Sequence, residues 1–300
     1  MLIASLSDFL HAHSGLLVRL LTVSSLTGLL FAVGLRLESK TVLKAIRSTR
    51  LDVILLLNFF LIPLMTVWVA RLFELPPVTA VALLLLASAP FAPVVPLFVR
   101  MSEGHLPLAA GLTALFPLFS VFLTPLSSMM GLWFLDLSGS LKVEPLAILG
   151  LLLSTITLPL VLGMGIRVLW PILAARLLSP LEMVTETIGA LSLVYLVYLE
   201  FSVMHTMDFE TLLLMAGLGE VGFMLGLILG NGGWGERQVV GFGTLNRNIG
   251  LAVLLCAMSF PDGGVMGPLI TNSLLIILLG LLHVGLFRLL TLLGRSKRSG

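Results

Sequence analysis

Apolar runs follow one another along almost the whole chain, many of them about 20 residues long, the length a helix needs to cross the hydrocarbon core of a bilayer. Nine can be marked out: 16–35, 51–73, 78–100, 105–134, 144–168, 181–203, 209–230, 238–259 and 266–292. A chain of this pattern has few options. Lipid offers no hydrogen bonds, so the backbone must satisfy itself, and helices do this within each segment. Composition agrees. Charged residues are 11% of the 300 and hydrophobic residues 58%, with a mean hydropathy of +1.14; a water-soluble domain carries about 25% charged residues. The expected fold is an all-α membrane protein of about nine transmembrane helices, a single unit over residues 1–300 with short connections. Pro63, Pro117, Pro159 and Gly222 fall inside the runs, which membrane helices tolerate better than soluble ones.

The basic residues give an orientation. With the loop 36–50 placed in the cytoplasm, Arg36, Lys40, Lys44, Arg47, Arg50, Arg100, Arg167, Arg176, Arg237, Arg288, Arg295, Lys297 and Arg298 fall inside. Only Arg19, Arg71 and Lys142 fall at the outer face. That asymmetry puts the N-terminus outside and the C-terminus in the cytoplasm, and the compact chain with short loops suggests a bacterial inner membrane. The pI near 9.0 reflects a small basic excess, so lipid rather than nucleic acid is the expected partner. The lone Cys256 excludes an internal disulfide and a cysteine-based metal site. The polar start "MLIASLSDFLHAHSG" has no small-residue cleavage pattern behind the first apolar run, so no cleavable signal peptide is expected.

One basic residue fits no loop. Arg247 stands in "GFGTLNRNIGLAV", inside the eighth run. That run is interrupted by "GTLNRN" (243–248), and the third is interrupted by "SAPFAPVVP" (88–96). Each interrupted run is followed by a short loop and a long apolar run. Matched broken helices in two halves of a chain point to a transporter binding site. Unwound backbone exposes N–H and C=O groups that lipid cannot satisfy, so it is expected to line a cavity that holds an ion or substrate.

Four stretches carry a family likeness: 31–68, 85–126 with "LLASAPFAPVVPLFVR", 242–255 with "FGTLNRNIGLAVLL", and 267–280 with "GPLITNSLLIILLG". With its Gly-Leu-Arg-Leu turn and Asn-x-Gly-Leu-Ala ending, the chain resembles the bile acid:sodium symporter family over nearly its whole length. The resemblance implies ten helices, or nine where the first is missing, in two inverted repeats. It implies a core domain (about 51–134 and 209–292) holding two crossed broken helices, and a panel domain (about 16–35 and 144–203) moving against it.

The departures from the family pattern concern its sodium sites. Where the resemblance implies Ser-Asn in the first break, this chain has Val95 and Pro96; where it implies Ser and Thr on the next helix, Ala109 and Thr113 stand. An expected glutamate is Gly243, and two expected glutamines are Arg247 and Asn58. Both sodium sites read as defective, with Thr113 and Asn58 as remnants. A fixed guanidinium at Arg247 replaces the ions' positive charge. A charge inside the membrane costs at least ~2.5–3.5 kcal/mol and should be paired; Glu220, midway along the seventh run, is the expected partner, and a proton could couple transport if Glu220 titrates. Alternatively Arg247 binds a substrate carboxylate or sulfonate through its bidentate fork.

The candidate substrate contacts are Arg247, Asn248, Asn246 and Thr244 in the second break, Thr113 and Asn58, and Thr271 and Asn272, which align with polar cavity positions of the family. The break at 91–96 would add helix N-terminal amides favouring an anion. His283 reads as a packed residue, and Glu182 and Glu186 as residues near span ends. The expected function is a secondary transporter of a small organic anion, working by alternating access and not classically sodium-coupled. A transporter-derived sensor or scaffold, or a sodium symporter with a rebuilt ion site, is the alternative. Enzyme chemistry has no support: the chain has no H-E-x-x-H, no acidic pair and no phosphate-binding loop. No cofactor is expected, with sodium left open. Substrate identity and oligomeric state are not legible.

Overall fold

The structure is a computed structural model that describes residues 12–37, 47, 49–137, 145–260 and 264–299, with side chains described from 149 onward in the third stretch and up to 293 in the last. Lys40, Lys44 and Lys142 lie outside the described residues, as do the side chains of Arg295, Lys297 and Arg298.

The described residues run mainly as helices: α1 (Ser14–Arg36), α2 (Leu51–Leu72), α3 (Pro77–Ala87), α4 (Val95–Met101), α5 (Leu106–Phe134), α6 (Pro145–Leu152, running on to Leu158–Leu169), α7 (Pro171–Thr206), α8 (Phe209–Leu229), α9 (Trp234–Leu245), α10 (Ile249–Ser259) and α11 (Met266–Ser299). Among the described residues, eight helices are long and apolar enough to cross a membrane, the α9–α10 stretch counted as one. The remaining expected run, 78–100, is divided between the short helices α3 and α4. The run expected at 181–203 is longer than its apolar part, because α7 begins at Pro171, where proline suits the first helical turn.

Two long helices carry a π turn, Leu57–Leu61 in α2 and Leu153–Thr157 in α6. Each is followed within two residues by a proline, Pro63 or Pro159. Proline has no N–H to give the preceding turn, and the helix widens there instead of breaking.

Packing divides along small residues. α1 lies along the second part of α6 and along α7. Its approach to α6 is so close that a Cβ on Gly34 would stand 2.3 Å from the Leu160 carbonyl oxygen, and one on Gly163 2.3 Å from that of Phe31. On the other side, α8 packs on α9, with Gly226 against Gly241. The buried core is centred on α3, α5, α9 and α10. Polar contacts gather Arg50, Arg100, His105 and Gly235 toward one end of the bundle, where the Arg50 amide meets Asn231 and the His105 amide meets the Gly235 carbonyl. An ion pair of Arg71 with Asp136 lies on the exposed surface.

Candidate functional site

The two breaks meet. α3 stops at Ala87 and α4 starts at Val95, with Pro90 and Pro93 in the unwound stretch between them and Pro96 in the first turn of α4. The opposite break, 246–248, lies against it through three backbone hydrogen bonds. The Phe91 amide donates to the Gly243 carbonyl (3.2 Å), the Ala92 amide to Asn246 (3.0 Å), and the Asn248 amide to Ala89 (2.7 Å). The unwound backbone was expected to be satisfied by a bound ion or substrate. Much of it is satisfied by the other break, because the crossing brings donors of one strand to acceptors of the other.

The crossing also explains Gly243. A Cβ there would lie 2.0 Å from Cζ of Phe91, so no side chain fits. The Phe91 ring sits in that space, fully buried and stacked on Phe116 at 3.9 Å between centroids; Phe116 in turn stacks on Phe59 at 5.7 Å. Phe91 reaches this position with φ of 57°, a left-handed backbone unusual for a bulky residue. An aromatic column of Phe91, Phe116 and Phe59 thus runs through the core at Gly243.

Arg247 is 5% exposed. Its Nη1 donates to the Ala87 carbonyl at 3.1 Å and to Asn58 Oδ1 at 3.3 Å. Ala87 is the last residue of α3, where carbonyls lack helical partners and carry the negative end of the helix dipole. Asn58 sits on the π turn of α2 and donates through Nδ2 to the Ile54 carbonyl and to Thr244 Oγ1. The ion pair expected between Glu220 and Arg247 does not form. Glu220 meets His283 instead, at 3.2 Å, and Arg247 is stabilised by neutral acceptors whose dipoles converge on it.

A cavity of about 1050 Å³ opens beside the crossing, between it and helices α1 and α7. Arg247, Asn246 and Asn248 all line it. Asn248 also caps α10, its Oδ1 accepting from the Leu251 amide at 3.0 Å, and Ile249 and Gly250 of the first turn of α10 line the cavity. The other expected contacts stand elsewhere. Thr244 and Asn58 are buried behind Arg247 as its support. Thr113 borders a separate small pocket of about 40 Å³ and its hydroxyl has no hydrogen-bond partner. Thr271 turns back to the Gly267 carbonyl of its own helix, and Asn272 is buried away from the cavity wall. Helix direction accounts for these misses, since a polar residue on a membrane helix can point to any neighbour.

Sequence reasoning missed most of the cavity's polar wall. Thr22, Ser25 and Ser192 come from α1 and α7, while Arg36 pairs with Glu182, and Glu186 and Arg100 line the same cavity. The helical spacing of Glu182 and Glu186, four residues apart on one face, was the available signal. The wall is otherwise apolar, with Leu26, Leu29, Val94, Leu97, Phe98 and Ile277 among its residues.

A sequence model of the Sodium Bile acid symporter family matches residues 23–210, and the chain belongs to that family. The match covers the first break but ends before the second, which holds Arg247. A comparison with curated proteins returns no match. The chain is therefore an integral, multi-pass membrane protein of a transporter family.

Proposed function

With membership of the sodium bile acid symporter family as the premise, we propose that this protein carries a small organic anion by alternating access, with Arg247 as a built-in cation in place of classical sodium coupling. One observation carries the reading. A buried guanidinium is fixed at the crossing by Asn58 and the end of α3, and it forms part of the wall of a 1050 Å³ cavity. Both recorded hydrogen bonds use Nη1, so the fork is oriented before any substrate arrives. A carboxylate or sulfonate entering the cavity meets that fork together with the first amides of α10, and helix N-terminal amides favour an anion. The largely apolar remainder of the wall accepts the hydrocarbon body.

The ring of Phe91 on Gly243 supports the loss of sodium coupling, because it removes both a carboxylate position and the space beside it. The transport cycle would move α1, α6 and α7 as a panel against the helices that hold the crossing. The basic end with Arg36 and Arg100 faces the cytoplasm of a bacterial inner membrane by the positive-inside rule, so the cavity opens inward.

The test is thermal stabilisation of the purified protein by a panel of carboxylates and sulfonates, each in sodium and in choline salts. A ligand that stabilises equally in both salts, and not at all in Arg247→Gln, is the expected result. Stabilisation that requires sodium would overturn the reading and point to an ion site rebuilt from backbone oxygens.

A further inference from the structure

Glu220 and His283 lie in the spanning parts of α8 and α11, neither lines the cavity, and the anion reading uses neither. His283 Nδ1 stands 2.8 Å from the Leu279 carbonyl oxygen. A carbonyl cannot donate, so Nδ1 carries a hydrogen. Its other nitrogen, Nε2, is 3.2 Å from Glu220 Oε1. A neutral ring with its hydrogen on Nδ1 offers only a lone pair at Nε2, and an ionised carboxylate offers only lone pairs. Two acceptors do not bond each other. The contact therefore needs one more proton, held on Nε2 facing a carboxylate or on the Glu220 carboxyl facing a neutral ring. The two forms have the same composition, and both are net neutral.

We propose that Glu220 and His283 form a proton-binding site within the membrane-spanning bundle. Without the proton, a carboxylate near the middle of α8 is left facing a lone pair, beside the Phe223 ring at 3.8 Å from the imidazole and Phe287 at 6.3 Å. Apolar surroundings penalise that charge. Glu220 is the outer member of the pair, its side chain 38% exposed against 6% for His283. Charged groups on the packed elements are engaged elsewhere or sit at helix ends. Arg288 donates to the Met101 carbonyl, Arg247 to Asn58 and Ala87, and Glu200 lies against Gly267. Glu210, Glu236, Arg237 and Asp52 belong to first turns, Arg71 pairs with Asp136, and Arg100, Glu182 and Glu186 line the cavity.

The site touches the transport core mechanically. Gly280, one turn from His283, backs onto Phe98 and Asn246, and Phe223 continues to Phe242 of α9 at 5.3 Å. Gain or loss of the proton changes the charge on the two helices that support the second break.

The test uses the full-length protein in lipid nanodiscs at neutral pH, with histidine ring nitrogens labelled for NMR and the carboxyl stretch followed by infrared. The His283 signal is the one absent from His283→Gln. The expected wild-type result is a doubly protonated ring, or a singly protonated ring together with a protonated-carboxyl band. In Glu220→Gln the ring should carry hydrogen on Nδ1 alone and the band should be gone. A neutral His283 beside an ionised Glu220 in the wild type would overturn the proposal, as would spectra unchanged by Glu220→Gln. The wild-type measurement decides even if the variant fails to fold. Neither readout involves a substrate, so failure of the anion reading leaves this result standing.

Discussion

At the scale of single residues, Gly243 and Arg247 define the centre of the molecule. Glycine at 243 makes room for Phe91, and the ring that enters fixes the first break against the second. Gly243→Ala should lower stability by about 1–3 kcal/mol, the usual cost of overpacking a filled core. The double variant Phe91→Ala with Gly243→Ala should recover part of that loss in a double-mutant cycle of melting temperatures. Additive losses would show that the two side chains do not share the space. Arg247 makes a second demand. Replacing Asn58 by leucine removes an acceptor from the guanidinium and a donor from the Thr244 hydroxyl. Buried polar groups left without partners cost about 1–3 kcal/mol, so Asn58→Leu should melt well below wild type, and further below it than Asn58→Asp, which loses the Nδ2 donor but keeps the acceptor for Arg247. Equal melting of the two would mean that Arg247 does not depend on Asn58.

At the scale of elements, the helices owe their positions to local interruptions. The π turn before Pro63 delivers Asn58 to the crossing, and a regular helix would direct position 58 differently by part of a turn. The α1–α6 contact depends on bare backbone at Gly34 and Gly163, where each Cβ position is already occupied by the partner's carbonyl. Gly163→Ala must push the helices apart, and the expected outcome is a lower melting temperature and a wider cavity mouth, since α1 carries Arg36. Gly165→Ala, at a site with nothing within 4 Å, is the matched control and should be silent. At the start of α8, Asp208 accepts from the Thr211 amide at 2.7 Å and its hydroxyl at 2.9 Å. These bonds hold the Asp208 carboxyl below its ordinary value. Its folded form titrates lower than its unfolded form, so the cap contributes above the ordinary carboxylate range and is lost as pH falls through the lowered value. Asp208→Asn keeps a cap oxygen and should remove this acid-side dependence from the melting curve.

At the scale of the whole molecule, the structure places the cavity on one side of the crossing and close packing on the other. The sole cysteine, Cys256, is 1% exposed, so the native protein should resist membrane-impermeant thiol reagents. Leu97, 52% exposed on the cavity wall, offers a reporter. Leu97→Cys should react from the cytoplasmic face of the membrane, and a bound anion should protect it. Labelling from the opposite face alone would reverse the orientation taken from the basic residues.

Helical class, most of the apolar runs, both breaks and the oddity of Arg247 were legible in the order of residues, while the run expected at 78–100 proved to be two short helices. All of these follow from local composition: the length of an apolar run, the placement of proline, a charge where lipid permits none. Partners were not legible. Glu220 was matched to Arg247 because both are charged at similar depth, yet Glu220 bonds His283 and Arg247 bonds a carbonyl and an amide. Depth can be counted along a membrane helix, but the direction a side chain faces depends on how that helix is rotated against its neighbours. Thr271 and Asn272 were misplaced for that reason, and Arg36, Glu182 and Glu186 were overlooked for it. What the sequence by itself determined was a bundle of spanning helices with two weak points, since run length and proline act within one segment. That the weak points bond each other, that Phe91 fills the space over Gly243, and that Arg247 lies between the end of α3 and an open cavity were decided by tertiary structure alone, because each depends on contact between segments far apart in the chain.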